Sequence, residues 1–145
     1  MVNVCENNNR HEIVNGSFQA IKKQDYMNFK TNSGMNTCIY IKRGVVQLDE
    51  CKISLAAYHN RQAALPCIVV EKDGCLILNR SEIRGSGGTV GIFSAGGTVI
   101  MKESIIRDHG IVGILYSSKN KLSSLTIKNC AFIKNNEAIV LNGPF

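Results

Sequence analysis

The feature that most constrains this chain is a largely apolar triplet that returns at irregular intervals: Ile39-Tyr40-Ile41, Ile68-Val69-Val70, Ile92-Phe93-Ser94, Ile114-Leu115-Tyr116 and Ile139-Val140-Leu141. The first residues of these triplets stand 29, 24, 22 and 25 positions apart. Helical repeats of fixed period do not tolerate such scatter, whereas a coil of short strands accepts insertions in its turns.

Each triplet is followed by a turn: Lys42-Arg43-Gly44, Glu71-Lys72-Asp73-Gly74, Ala95-Gly96-Gly97, then the longer run from Ser117 to Ser124. A second apolar run comes next, with inward candidates two apart: Val46 and Leu48, Leu76 and Leu78, Val99 and Met101, Leu125 and Ile127. Residues two apart share one face of a strand, so these pairs can stack into a core wall. Three residues past each pair stands something small, Cys51, Ser81, Ser104 or Cys130, and two further on Ile53, Ile83, Ile106 or Phe132. The small residue fits a tight inner corner, and the large one begins a third wall.

This frame resembles the right-handed parallel β-helix repeat family, whose repeats read Gly-Ile-x-Leu, a turn, then Ile-x-x-Asn-x-Ile. The matching residues are Gly91-Ile92-Phe93-Ser94, Met101-Lys102-Glu103-Ser104-Ile105-Ile106 and Gly113-Ile114-Leu115-Tyr116. Cys or Ser replaces the usual corner Asn. The resemblance implies an all-β, right-handed parallel β-helix (solenoid) of about five rungs over residues 37–145. Residues 1–36 form a less regular N-terminal segment. There, Ile13 to Phe18 reads as the closing part of a rung, because its spacing matches Leu48 to Ile53, and Gln19 to Asn36 reads as an inserted helix and loop or a cap.

In a parallel coil, equivalent residues of successive rungs lie about 4.8 Å apart and form ladders. Glu50, Arg80, Glu103 and Asn129 make one outer ladder of alternating charge, with Lys52 and Glu82 beside it. Cys38 and Cys67 share a repeat position, and the reading favours stacked thiols over a disulfide. The middle residues of the triplets, Tyr40, Val69, Phe93, Leu115 and Val140, point outward if their neighbours face the core. A continuous apolar stripe on a surface marks an interface. These five residues are therefore the expected partner-binding set, with cover by the N-terminal segment as the competing expectation.

Other function classes find little support. The net charge of +6 arises from 17 basic residues spread among 11 acidic ones, without the clustering a nucleic-acid partner requires. No apolar run is long enough to cross a membrane, and the polar start MVNVCENNNRHE shows no secretory pattern, so a cytoplasmic location is the expectation if the chain is complete. The six cysteines show no CxxC pair and no zinc-type spacing, so no metal or cofactor is expected. Asp49, Asp73 and Asp108 fall at three different repeat positions, His11, His59 and His109 are scattered, and Asp108-His109 reads as a turn; no catalytic residue is assigned. The expected function is a non-catalytic interaction module that docks with other protein chains of a larger assembly, cytoskeletal or ciliary by family resemblance. It would use a solenoid face and an open end, and would self-associate end to end when isolated. The alternative is a carbohydrate-binding or carbohydrate-cleaving β-helix.

Overall fold

The computed structural model describes residues 2–5, 11–13, 16–18, 39–54, 65–119 and 124–143. Among them every regular element is a strand, and every pairing between named strands is parallel. The strands stack as a β-solenoid of about four turns, with three walls.

The first wall is built from β2 (His11–Ile13), the opening of β4 (Ile39–Asp49), the opening of β6 (Leu65–Asn79), β8 (Thr89–Ala95), β11 (Val112–Ser117) and β14 (Ile139–Asn142). The second wall takes β3 (Gly16–Phe18), the second halves of β4 and β6, β9 (Thr98–Lys102) and β12 (Leu125–Lys128). The third consists of β1 (Val2–Cys5), β5 (Cys51–Ser54), β7 (Glu82–Arg84), β10 (Ile105–Arg107) and β13 (Ala131–Ile133). β4 and β6 run unbroken from the first wall into the second. They bend where Gly44 pairs with Gly74, and Gly44 takes a φ of +89° that a side chain would oppose.

The register follows the repeat frame. Ile39, Ile68, Ile92, Ile114 and Ile139 are successive partners on the first wall, and Val46, Leu76, Val99 and Leu125 on the second. Ile53, Ile83, Ile106 and Phe132 do the same on the third. In the inner rungs these residues are at most 1% exposed and form one core with Leu48, Leu78 and Met101. Burying each such side chain stabilises the fold by about 1.5–3 kcal/mol relative to leaving it in water. At the level of β13 and β14 the ladders open, and Leu141 is 53% exposed where its partner Tyr116 is 1% exposed.

The corner between the second and third walls repeats one backbone device. Glu50, Arg80, Glu103 and Asn129 all adopt a left-handed conformation, with φ between 48° and 54°. The first three donate their N–H to a carbonyl of the next rung: Glu50 to Asn79, Arg80 to Lys102, Glu103 to Lys128. The corner turns the following small residue inward, so Cys51, Ser81 and Ser104 are buried. The charge ladder is thus first of all a row of backbone corners. Arg80 and Glu50 do pair across it at 3.3 Å, both exposed, which is worth at most about 1 kcal/mol. Lys52 lies beside Glu82 in register, but the Glu82 carboxylate pairs with Arg107 at 3.8 Å.

The N-terminal segment differs from its expected register. Ile13 pairs with Ile41 and Phe18 with Val46, so β2 and β3 open a rung and do not close one. A spacing of five between apolar residues occurs at Ile41/Val46 as well as at Leu48/Ile53, and spacing alone cannot separate them. The glycine settles it: Gly16 pairs with the bend residue Gly44. The third wall below β5 is filled by β1, which precedes β2 in the chain. The expected helix, loop or cap over 19–36 lies outside the described residues, as does Cys38. Cys67 is buried, with Sγ 3.9 Å from the Arg84 carbonyl.

Candidate functional site

The five middle residues of the triplets form a single ladder. Tyr40 pairs with Val69, Val69 with Phe93, Phe93 with Leu115 and Leu115 with Val140. On either side stand core residues, Ile39 and Ile41, Ile68 and Val70, Ile92 and Ser94, Ile114 and Tyr116, all buried. Strand alternation therefore turns the ladder to the outside of the first wall. Its exposure is uneven. Tyr40, Phe93, Leu115 and Val140 are half-buried, but Val69 is 1% exposed and stands apart from the core cluster. Atoms of this same chain cover Val69, so the apolar stripe is interrupted there and is not continuous. Alternation fixes the side of the sheet a residue takes, but not what lies over it.

Beside the ladder, at the bend from the first wall to the second, a shallow depression of about 280 Å³ is lined by Tyr40, Lys42, Arg43, Glu71, Lys72 and Asp73. The Tyr40 hydroxyl donates to Glu71 of the next rung, and Lys42 Nζ stands 5.9 Å from the Tyr40 ring centre. The register shifts between Ile41 and Arg43, and this irregularity brings the two charged turns together around the ring. In sequence these residues are two unrelated turns. The signal available was that both follow a triplet, so both occupy one corner of adjacent rungs.

The third corner holds Asp108 and His109. Asp108 has a left-handed φ of 63°, and its carboxylate accepts from Arg107 at 2.9 Å and faces Arg84 at 3.3 Å. The hydrogen bond from Arg107 holds this carboxyl below its usual range. His109 is fully buried, with Nδ1 2.9 Å from Thr89 Oγ1 and Nε2 3.2 Å from the Ile83 carbonyl. Burial pushes its pKa down to about 4. The carboxylate is engaged by arginines and the imidazole by a hydroxyl and a carbonyl, so the two adjacent residues do not form an acid–base pair. The aspartates stay apart as their repeat positions require: Asp49 accepts from Gln47 and Asn79 on the second wall, and Asp73 lines the depression.

Cys51 is buried at the second corner with its thiol raised to about 11, by burial first and then by the Asp49 charge. Among the described residues, no group of three or more His, Cys, Asp or Glu is placed to hold a metal ion, and no helix is long and apolar enough to cross a membrane. His59 lies outside the described residues. Compared with known proteins, the chain matches no family model, no curated protein and no solved structure.

Proposed function

We propose that this chain is a non-catalytic interaction module of the right-handed β-helix repeat type, docking with another protein chain of a larger assembly through the outer face of its first wall. The observation that carries the reading is the stacking of Phe93 on Leu115 and of Leu115 on Val140, each half-buried, on a rigid parallel sheet. Preorganised apolar side chains lose little freedom on binding, which favours such a ladder as a contact surface. Tyr40 extends the face to the charged bend, where Lys42, Arg43 and Lys72 offer polar rim contacts. The opening of the ladders at Ile133, Ile139 and Leu141 adds a second apolar surface, through which the isolated chain would associate weakly with itself. Affinity capture of the tagged full chain with Phe93→Asp beside wild type tests the reading. Partners that wild type retains and the variant loses, at unchanged circular dichroism, support it; identical captures oppose it.

A second reading rests on the depression. Tyr40 with Glu71 and Asp73 sets an aromatic ring beside carboxylates and lysines on one face, a lining suited to a saccharide. Calorimetric titration with neutral and acidic oligosaccharides checks it. Binding that Tyr40→Ala weakens at least about tenfold supports a glycan site, a loss of roughly 1.4 kcal/mol; no heat with any sugar removes this reading and leaves the protein face standing.

A further inference from the structure

We propose that His109 is a pH-sensitive pin, whose protonation unlocks the corner between the third and first walls and loosens the strands that carry Phe93 and Leu115. The proposal rests on the interaction-face reading and adds a means of regulating it.

The imidazole sits in a slot made by glycines. A Cβ on Gly85 would lie 2.0 Å from Thr89 Oγ1 and 2.2 Å from His109 Nδ1, and one on Gly91 would lie 3.1 Å from His109 Nε2. A Cβ on Gly110 would lie 2.1 Å from the Gly87 carbonyl oxygen. The run Gly85-Ser86-Gly87-Gly88 is therefore more than a turn between rungs: it lets two rungs close around one ring.

Burial favours a neutral ring, against the hydrogen bond to the Ile83 carbonyl, which favours the charged one. The Ile83 carbonyl can only accept, so Nε2 carries the proton and Nδ1 accepts from the Thr89 hydroxyl. That hydroxyl has one proton and a second acceptor in reach, the Ser86 carbonyl at 2.8 Å. The Ser86 carbonyl already receives the N–H of Thr89 at 3.2 Å and of Gly110 at 2.9 Å. When Nδ1 gains a proton it must donate to Thr89 Oγ1, which already accepts the Ser86 N–H at 2.9 Å, and the hydroxyl proton is then confined to the Ser86 carbonyl, a third donor on one oxygen. Charge thus enters a site closed to water and crowds the carbonyl that joins the two turns.

The adjacent Asp108 carboxylate favours the charged ring, but burial outweighs it. Asp108, beside His109, is held by Arg107 and Arg84, with Lys134 of the next turn adding positive potential. Glu82 pairs with Arg107. From the rung below, Ile83, Gly85, Ser86 and Thr89 bring no charge, and from the rung above Asn135 and Asn136 bring none.

The same corner anchors three rungs. The His109 N–H donates to Asn135 Oδ1 at 3.1 Å, its carbonyl accepts from the Asn136 N–H at 2.9 Å, and the Ile111 N–H reaches the Thr89 carbonyl at 3.2 Å. Thr89 begins β8, which carries Phe93, and Val112 begins β11, which carries Leu115. Loosening this corner loosens the start of both strands.

The test is a pH titration of the isotope-labelled full chain by NMR, from pH 7 down to pH 4. The ring of His109 should show the Nε2–H form at neutral pH. Its midpoint should fall at least about one pH unit below that of an ordinary histidine. The amides of Ser86, Thr89 and Gly110, and those of Phe93 and Leu115, should shift with the same midpoint, while Ile77 and Ile100 on the second wall stay still. His109→Gln should abolish the shared transition; if that variant does not fold, the wild-type titration decides alone. A midpoint near the ordinary value, corner shifts that leave Phe93 and Leu115 unmoved, or a transition that survives in a folded His109→Gln would each overturn the proposal. The titration needs no partner, so loss of the interaction-face reading shows in capture experiments and loss of the pin shows here.

Discussion

Ser81 Oγ lies 3.1 Å from the backbone nitrogen of Cys51, one rung below, and accepts its N–H inside the closed core. The arrangement repeats upward, because the Ser81 N–H donates to Ser104 Oγ at 3.1 Å. A side chain of each rung satisfies the buried backbone of the rung before it. Serine takes this part at both corners.

Removing that hydroxyl leaves the Cys51 N–H without its acceptor. Ser81→Ala should lower stability by about 1–3 kcal/mol, the cost of an unsatisfied buried donor. Chemical denaturation measures it. A change within error would show that the corner does not depend on the hydroxyl.

The two glycine environments predict opposite severities. Gly85→Ala places a methyl against Thr89 and His109 and should prevent folding or lower the thermal midpoint drastically. Gly96→Ala meets Lys72 at an ordinary 3.5 Å, so it carries only the strain of its φ of +98°, about 1–2 kcal/mol. Parallel melting curves rank the pair, and the reverse order would mean that the slot around His109 is looser than described.

Acid stability follows from the His109 burial. Its folded pKa of about 4 lies below an ordinary value near 6.5, so the unfolded chain binds the proton more readily. Its contribution is therefore fully present above about pH 6.5 and is lost as the pH falls through that window to about 4. The loss is on the order of 3 kcal/mol. Denaturation at pH 7 and pH 4.5 should show it in wild type, and His109→Gln should flatten this component.

Thiol chemistry separates the corner from the surface. Burial raises Cys75 as well as Cys51, but Cys51, raised to about 11, is fully buried whereas Cys75 is half-buried. Alkylation of the native chain at pH 8 should therefore modify Cys51 roughly a hundredfold more slowly than in the unfolded chain. Equal rates at Cys51 and Cys75, followed by mass spectrometry, would contradict the corner geometry.

Much of this fold is legible in the residues because the ladders repeat one chemistry per position. Ile39, Ile68, Ile92 and Ile114 share a chemistry, as do Val46, Leu76 and Val99, and only one register stacks them. Where the chemistry is ambiguous the reading slips, as at Ile13 and Phe18, whose spacing fits two places in a rung. Burial from outside the core is not written in alternation, which is why Val69 looks like Phe93 in sequence and differs from it in exposure. His109 looks like a turn residue because the glycines that enclose it belong to another rung.

Site-specific photo-crosslinking tests whether the outer face of the first wall is a contact surface. A photoreactive residue is placed at Phe93 or Leu115, and as a control at Ile100, which faces outward on the second wall. Crosslinked in its native source, the chain should form one discrete adduct with another polypeptide from positions 93 and 115 and none from position 100. Adducts equally abundant from all three positions, or from position 100 alone, would contradict it.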